Sequence, residues 1–153
     1  MLPELETAVA ARLLNSTIPA RLAFVGASGQ PHVTPIWFLW HDGAVVMSSF
    51  ANSAKVRAIK NNPRIALTID SEEPPYQVLR IRGVAAIEIV DGIVDEYVTC
   101  AHRYYGQTLG DKWLAGLSGL ELQMARITVV PDWAEAADFE ERFPHLYRDE
   151  NLS

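Results

Sequence analysis

The chain has one cysteine, Cys100, and therefore no internal disulfide. No apolar run approaches the ~18 residues that a helix needs to span a membrane. The N-terminal stretch, MLPELETAVAARLL, carries acids where a secretory leader carries Lys or Arg. A soluble, cytoplasmic protein is the expectation. A broad basic surplus is also missing, since the net charge is -6 and the pI about 5.1, which argues against nucleic acid as the partner. GxGxxG, Walker and GxSxG signatures are absent, and Gly26-Ala27-Ser28-Gly29 reads as a hairpin turn. The histidines His32, His41, His102 and His145 are scattered without ligand spacing, so no metal site is expected. The acidic pairs Glu72-Glu73 and Glu140-Glu141 fall in polar stretches, which leaves an acid/base hydrolase without machinery.

What is present is a chain of 153 residues, 49% hydrophobic and 21% charged, enough for one folded domain. We place that domain over residues 1–139 and a charged tail over residues 140–153. Leu2, Leu5, Val9 and Leu13 recur at helical spacing and predict an opening helix from Pro3 to Leu14. Strands follow at Arg21 to Val25 and His32 to Trp40, joined by a glycine-rich turn. The pair Asp42-Gly43 turns into a third strand, Val45 to Ser49. A short helix, a fourth strand (Arg64 to Asp70) and a long run from Gln77 to Val90 come next. Gly83 within that run predicts a bulge or bend. Helical spacing resumes after Asp91-Gly92 and runs to about Tyr105, with Gly106 as terminator, and Asp111 to Leu117 forms a further helical piece. Gln123 to Val130 returns to strand, Pro131-Asp132 breaks it, and Trp133 to Phe139 either pairs or packs as an arm. The fold class is mainly β with α additions: about six antiparallel strands in a closed or nearly closed barrel with peripheral helices.

One stretch is chemically unusual. Between Gly43 and Thr68 there is no Asp or Glu, whereas Lys55, Arg57, Lys60 and Arg64 are all cationic. This segment follows a strand, and Asn52 or Ser53 can cap its helix, so free N–H groups and a positive dipole end would meet an anion there. The plainer reading is a solvated basic helix with Val56 and Ile59 as its buried stripe. Lys55 and Arg57 project to nearly opposite sides, which favours Lys55, in the first turn, as the phosphate ligand. Arg80 and Arg82 share one strand face, either solvent-facing or as further anion contacts. Of the four tryptophans, Trp37, Trp40, Trp113 and Trp133, most read as core, and Trp37 is the candidate for a pocket wall. Cys100 reads as a small core residue.

Ser53, Lys55, Asn62 and Pro63 between two strands, then Arg80-Ile81-Arg82-Gly83, resemble the pyridoxamine 5′-phosphate oxidase-like, FMN-binding split-barrel superfamily. The strand Gly29-Gln30-Pro31-His32-Val33-Thr34-Pro35-Ile36-Trp37-Phe38 is similar to that of its smaller members, including the branch that uses the deazaflavin F420. The likeness covers Arg21 to Val90, with a weaker echo in Gln123 to Pro131 and Trp133. It implies a homodimeric split barrel with a cofactor, FMN or F420, at each of two sites in the subunit interface. Lys55 would hold the phosphate with Ser48, Ser49 and Ser53. Val33, Thr34, Pro35 and Ile36, with Trp37, would flank the ring, and Arg57, Lys60 and Arg82 would meet further anionic groups. The activity implied is that of an oxidoreductase acting on a small conjugated substrate; the alternative is a non-catalytic flavin- or haem-binding protein of the same fold. No C-terminal Arg/His segment is matched, and Val33-Thr34-Pro35 stands where the oxidases carry a phosphate-binding Arg. Both departures argue against vitamin B6 oxidation itself.

Overall fold

The computed structural model describes residues 1–143. A turn of 3-10 helix, Pro3–Glu6, leads into α1 (Ala8–Leu14), then β1 (Ala20–Val25), β2 (Pro31–Ile36), β3 (Phe38–His41) and β4 (Ala44–Phe50). α2 (Ala54–Asn61), β5 (Arg64–Asp70), β6 (Val78–Asp91), α3 (Asp95–Leu117) and β7 (Gln123–Ala137) complete the order. The strands form one antiparallel sheet in the order β2-β1-β5-β6-β7-β4-β3.

That order explains the shape. The two rim strands, β2 and β3, are consecutive in the chain with Trp37 alone between them. A sheet whose first and last strands are joined by one residue must curl until its rims meet. β2 pairs with β1, and β3 with β4, but not with each other, so the barrel stays unclosed along that seam. Seven strands replace the expected six because Trp37 divides the single run predicted from His32 to Trp40. The barrel is filled by Leu22, Ile36, Phe38, Met47, Leu67, Ile81 and Ile127, and α1 and α2 add Leu13, Leu14, Val56 and Ile59 to the same core.

Local chemistry accounts for most boundaries. The opening helix is broken at Thr7, whose hydroxyl accepts from the Ala10 N–H and caps α1, so the expected helix from Pro3 to Leu14 is two pieces. Asp42 and Gly43 both take positive φ, 48° and 74°, the geometry of a tight hairpin turn between β3 and β4. Pro131-Asp132 does not end a strand. β7 runs through it as a bulge, Arg82 facing Trp133 and Gly83 facing Pro131 with Asp132 left over. Trp133 and the residues after it are therefore ladder, not an arm, as far as Ala137. Helix α3 starts at Asp95 rather than after Gly92 and continues past Gly106, where φ 79° makes a kink rather than an end.

Gly83 sits at the bulge for want of space. A Cβ there would lie 2.6 Å from Val129 Cγ1 and 2.9 Å from the Val130 carbonyl oxygen. Gly83→Ala is expected to cost about 1–3 kcal/mol, since backbone cannot step aside as a side chain can. A lowered urea midpoint with an unchanged slope is the check.

Candidate cofactor site

The basic stretch folds as anticipated in its local geometry. Ser53 is the N-cap of α2, its hydroxyl accepting from the Val56 N–H at 3.4 Å. The Ser49 and Ser53 hydroxyls lie 3.1 Å apart, and Lys55 Nζ donates to Ser49 Oγ at 3.3 Å. Two hydroxyls and an ammonium thus gather where β4 ends and α2 begins. Val56 and Ile59 anchor the other side of α2 in the core, which fixes this end against the barrel. With its open N–H groups, the arrangement has the donors and charge that a phosphate monoester requires.

Other candidates divide between two further places. Strand alternation sends Ser48 away from Ser49. Ser48 lines a cavity of about 300 Å³ with Pro35, Ile36, Trp37, Tyr97, Tyr105 and Trp113. The Arg57 guanidinium turns to the Asn52 carbonyl, and Lys60 is exposed near the end of α2. Val33, 70% exposed, stands outside the barrel, while Thr34 is half-buried. Arg82 stacks over the Trp133 ring at 4.3 Å. It lines a second cavity, about 520 Å³, with Arg64, His32, Phe24 and Asp132. Arg80 pairs instead with the buried Glu135.

The aromatic box around Trp37 came from outside the predicted set. Trp37 stacks on Tyr104 at 5.4 Å and 4°, meets Tyr105 edge-on at 4.9 Å and lies 5.6 Å from Tyr97. Tyr97 and Tyr104, seven residues apart, share one face of α3, and that spacing is the signal a sequence reader could have used. Trp113 is 41% exposed rather than core, its indole N–H donating to the Tyr97 hydroxyl at 2.9 Å. Burial raises the pKa of the Tyr97 and Tyr104 hydroxyls, so both stay protonated hydrogen-bonding groups at neutral pH.

Helix α3 is held over β3 and β4 by charge. Arg126 on β7 donates to Glu88 at 2.6 Å and to Glu96 of α3 at 3.0 Å. Arg103 donates to the carbonyls of Leu14, Ser16 and Phe38 and lies over the Phe38 ring at 4.9 Å. Across the kink, His102 and Asp111 meet at 2.7 Å, and the hydrogen bonds from His102 first and Gln107 second hold the Asp111 carboxyl below its usual range. Cys100 is buried in α3, and that burial pushes its thiol up to about 11, leaving it protonated and unreactive at neutral pH. Among the described residues no cluster of His, Cys, Asp or Glu could hold a metal ion, and no helix is long and apolar enough to cross a membrane.

An unclosed antiparallel barrel, with a short basic helix capped at the end of β4 and an aromatic-walled pocket on the other face of that strand, has the architecture of the split-barrel proteins. The model of the pyridoxamine 5′-phosphate oxidase family matches residues 6–131, and the chain belongs to that family. Solved structures agree on the fold. An F420 reductase is 25% identical, with a TM-score of 0.63 over 80% of this chain and 93% of that one. A conserved hypothetical protein from Mycobacterium tuberculosis is 20% identical, with a TM-score of 0.65 over 92% and 86%. HutZ, the haem storage protein from Vibrio cholerae, is 17% identical, with a TM-score of 0.54 over 76% and 84%. None of the curated proteins matches the chain.

Proposed function

We propose that the chain is an oxidoreductase that binds FMN or the deazaflavin F420 and transfers electrons to or from a small conjugated substrate. The observation that carries this reading is the gathering of Ser49, Ser53 and Lys55 at the capped start of α2, while Ser48, on the other face of the same strand, lines an aromatic pocket. A phosphorylated redox ring needs both a charged cradle for its phosphate and flat apolar walls for its ring. Lys55, Ser49 and Ser53 would hold the phosphate. Pro35, Ile36 and Trp37 would border the ring, and Val33 and Thr34 would offer backbone. When bound, the cofactor supplies two-electron transfer, and the protein supplies orientation and exclusion of water. That division suits a pocket whose lining has no carboxylate, imidazole or thiol.

The chain is expected to work as a homodimer with the cofactor between copies. Val84 and Val130, paired across β6 and β7, are 55% and 66% exposed, and Val33 on β2 is 70% exposed; a second copy would cover these apolar side chains. Arg82, Arg64 and Trp133 line a cavity at the Pro31 end of β2, away from the Pro35–Trp37 pocket, so a partner is the natural source of the second half of a shared site. The supporting result is a spectral shift on titrating FMN or F420 together with a solution mass of twice the 17.0 kDa chain. No chromophore bound from either would sink the assignment.

The second reading is a holder of flavin or haem without turnover. What favours it is the same lack of a proton carrier near neutrality in the pocket lining, together with the haem storage protein among the solved neighbours. Reduction by NAD(P)H or reduced F420, then reoxidation by an added acceptor, separates the two.

A further inference from the structure

Beyond Gly106, the second half of α3 borders a cleft of about 410 Å³ lined by Tyr105, Leu109, Lys112, Trp113, Gly116 and Leu117. It shares Tyr105 and Trp113 with the pocket beside Trp37, so the two cavities have a wall in common. Three large side chains in it are left uncovered: Tyr105 at 44%, Leu109 at 58% and Trp113 at 41% exposure. Their positions are fixed all the same. The Trp113 N–H is taken by Tyr97, and Tyr105 lies edge-on between Trp37 and Trp113. What the cleft offers is aromatic and aliphatic surface, on which a flat π-system can stack.

Gly116 adds an independent sign. It is helical without positive φ, so its backbone does not call for glycine. Nothing lies within 4 Å of where a Cβ would stand, so no packing calls for it either. A glycine inside a helix is less stable there than alanine. Here the missing side chain leaves open volume in the cleft. The one charged wall is Lys112, and no carboxylate lines the cavity, so the charge a ligand would meet is positive.

We propose that this cleft binds a planar, conjugated molecule carrying one anionic group, in its simplest form an aromatic carboxylate, and that this is the substrate class of the oxidoreductase. The substrate assignment rests on the cofactor reading above; the binding site does not. The ring lies against Trp113 and Tyr105 over Gly116, its anion points to Lys112, and the shared wall places it next to the cofactor pocket.

Calorimetric titration of 2-naphthoate into the full-length protein, with and without bound FMN or F420, tests this. Gly116→Leu fills the cleft without a clash and should weaken 2-naphthoate roughly tenfold or more, as expected for losing an aromatic stacking site. Lys112→Gln should weaken 2-naphthoate but not the neutral 2-naphthamide, and the non-planar decahydro-2-naphthoate should bind poorly to all forms. The cofactor dissociation constant should be unchanged in both variants. Binding of 2-naphthoate that is absent in the parent chain, or undiminished by Gly116→Leu, overturns the cleft. A change of solution mass in Gly116→Leu overturns it too, by making this face a contact between copies. If 2-naphthoate binds as described but neither cofactor does, the cleft stands and the oxidoreductase reading falls.

Discussion

Lys55→Ala should weaken binding of the preferred cofactor by about 1.5–3 kcal/mol, the value of a charge-assisted hydrogen bond to phosphate. The geometry supports a loss at the upper end. Lys55 Nζ already lies 3.3 Å from Ser49 Oγ, so the ammonium is held where an anion would need it, with little side-chain ordering left to pay for. Ser53 is fixed by its capping role and Ser49 by the strand, so the cradle would lose its charge and keep its shape. Arg57→Ala gives the contrast. Its guanidinium sits on the Asn52 carbonyl, and its removal should alter affinity less than the Lys55 change does. The measurement is an absorbance titration with FMN and with F420 at low ionic strength, repeated at high salt to expose screening. An unchanged dissociation constant in Lys55→Ala would remove that residue from the site.

Arg103→Ala should destabilise the fold by about 3 kcal/mol or more, the range for leaving several part-buried acceptors without their charged donor. One guanidinium serves the carbonyls of Leu14 and Ser16, where α1 ends, and of Phe38 at the start of β3. It also covers the rings of Phe38 and Tyr104. Three separate chain segments therefore depend on one planar fork with five donors. Arg103→Lys should recover only part of the loss, because a point ammonium cannot reach three acceptors in that geometry. Urea unfolding read by tryptophan emission is the check, and a loss within the error of a surface substitution would refute it.

Apart from the break at Trp37, residues 21–70 were legible because their signals are local. Asp42-Gly43 can make one kind of turn, Ser53 caps the helix that its position announces, and Asn62-Pro63 ends it where Arg64 begins a strand. Their joint pattern was enough to suggest the family that residues 6–131 match. What was illegible depended on distant partners. Pro131-Asp132 reads as a breaker until Gly83, across the ladder, is seen to make room for the bulge. At the division the Trp37 indole packs on Tyr97, Tyr104 and Tyr105, all of them sixty or more positions away. Ser48 and Ser49, adjacent in sequence, separate because a strand turns neighbours to opposite faces. Arg103 carried no sequence signal, since its acceptors are backbone oxygens that any residues could supply. The part of the expected tail from residue 144 onward lies outside the described residues.

The seam strand β2 carries Pro31 and Pro35, two positions with no amide hydrogen to offer, and β3 on the opposite rim is only four residues long. Neither rim makes a good template for an incoming strand. Runaway edge-to-edge growth into fibres is disfavoured by the same two rims.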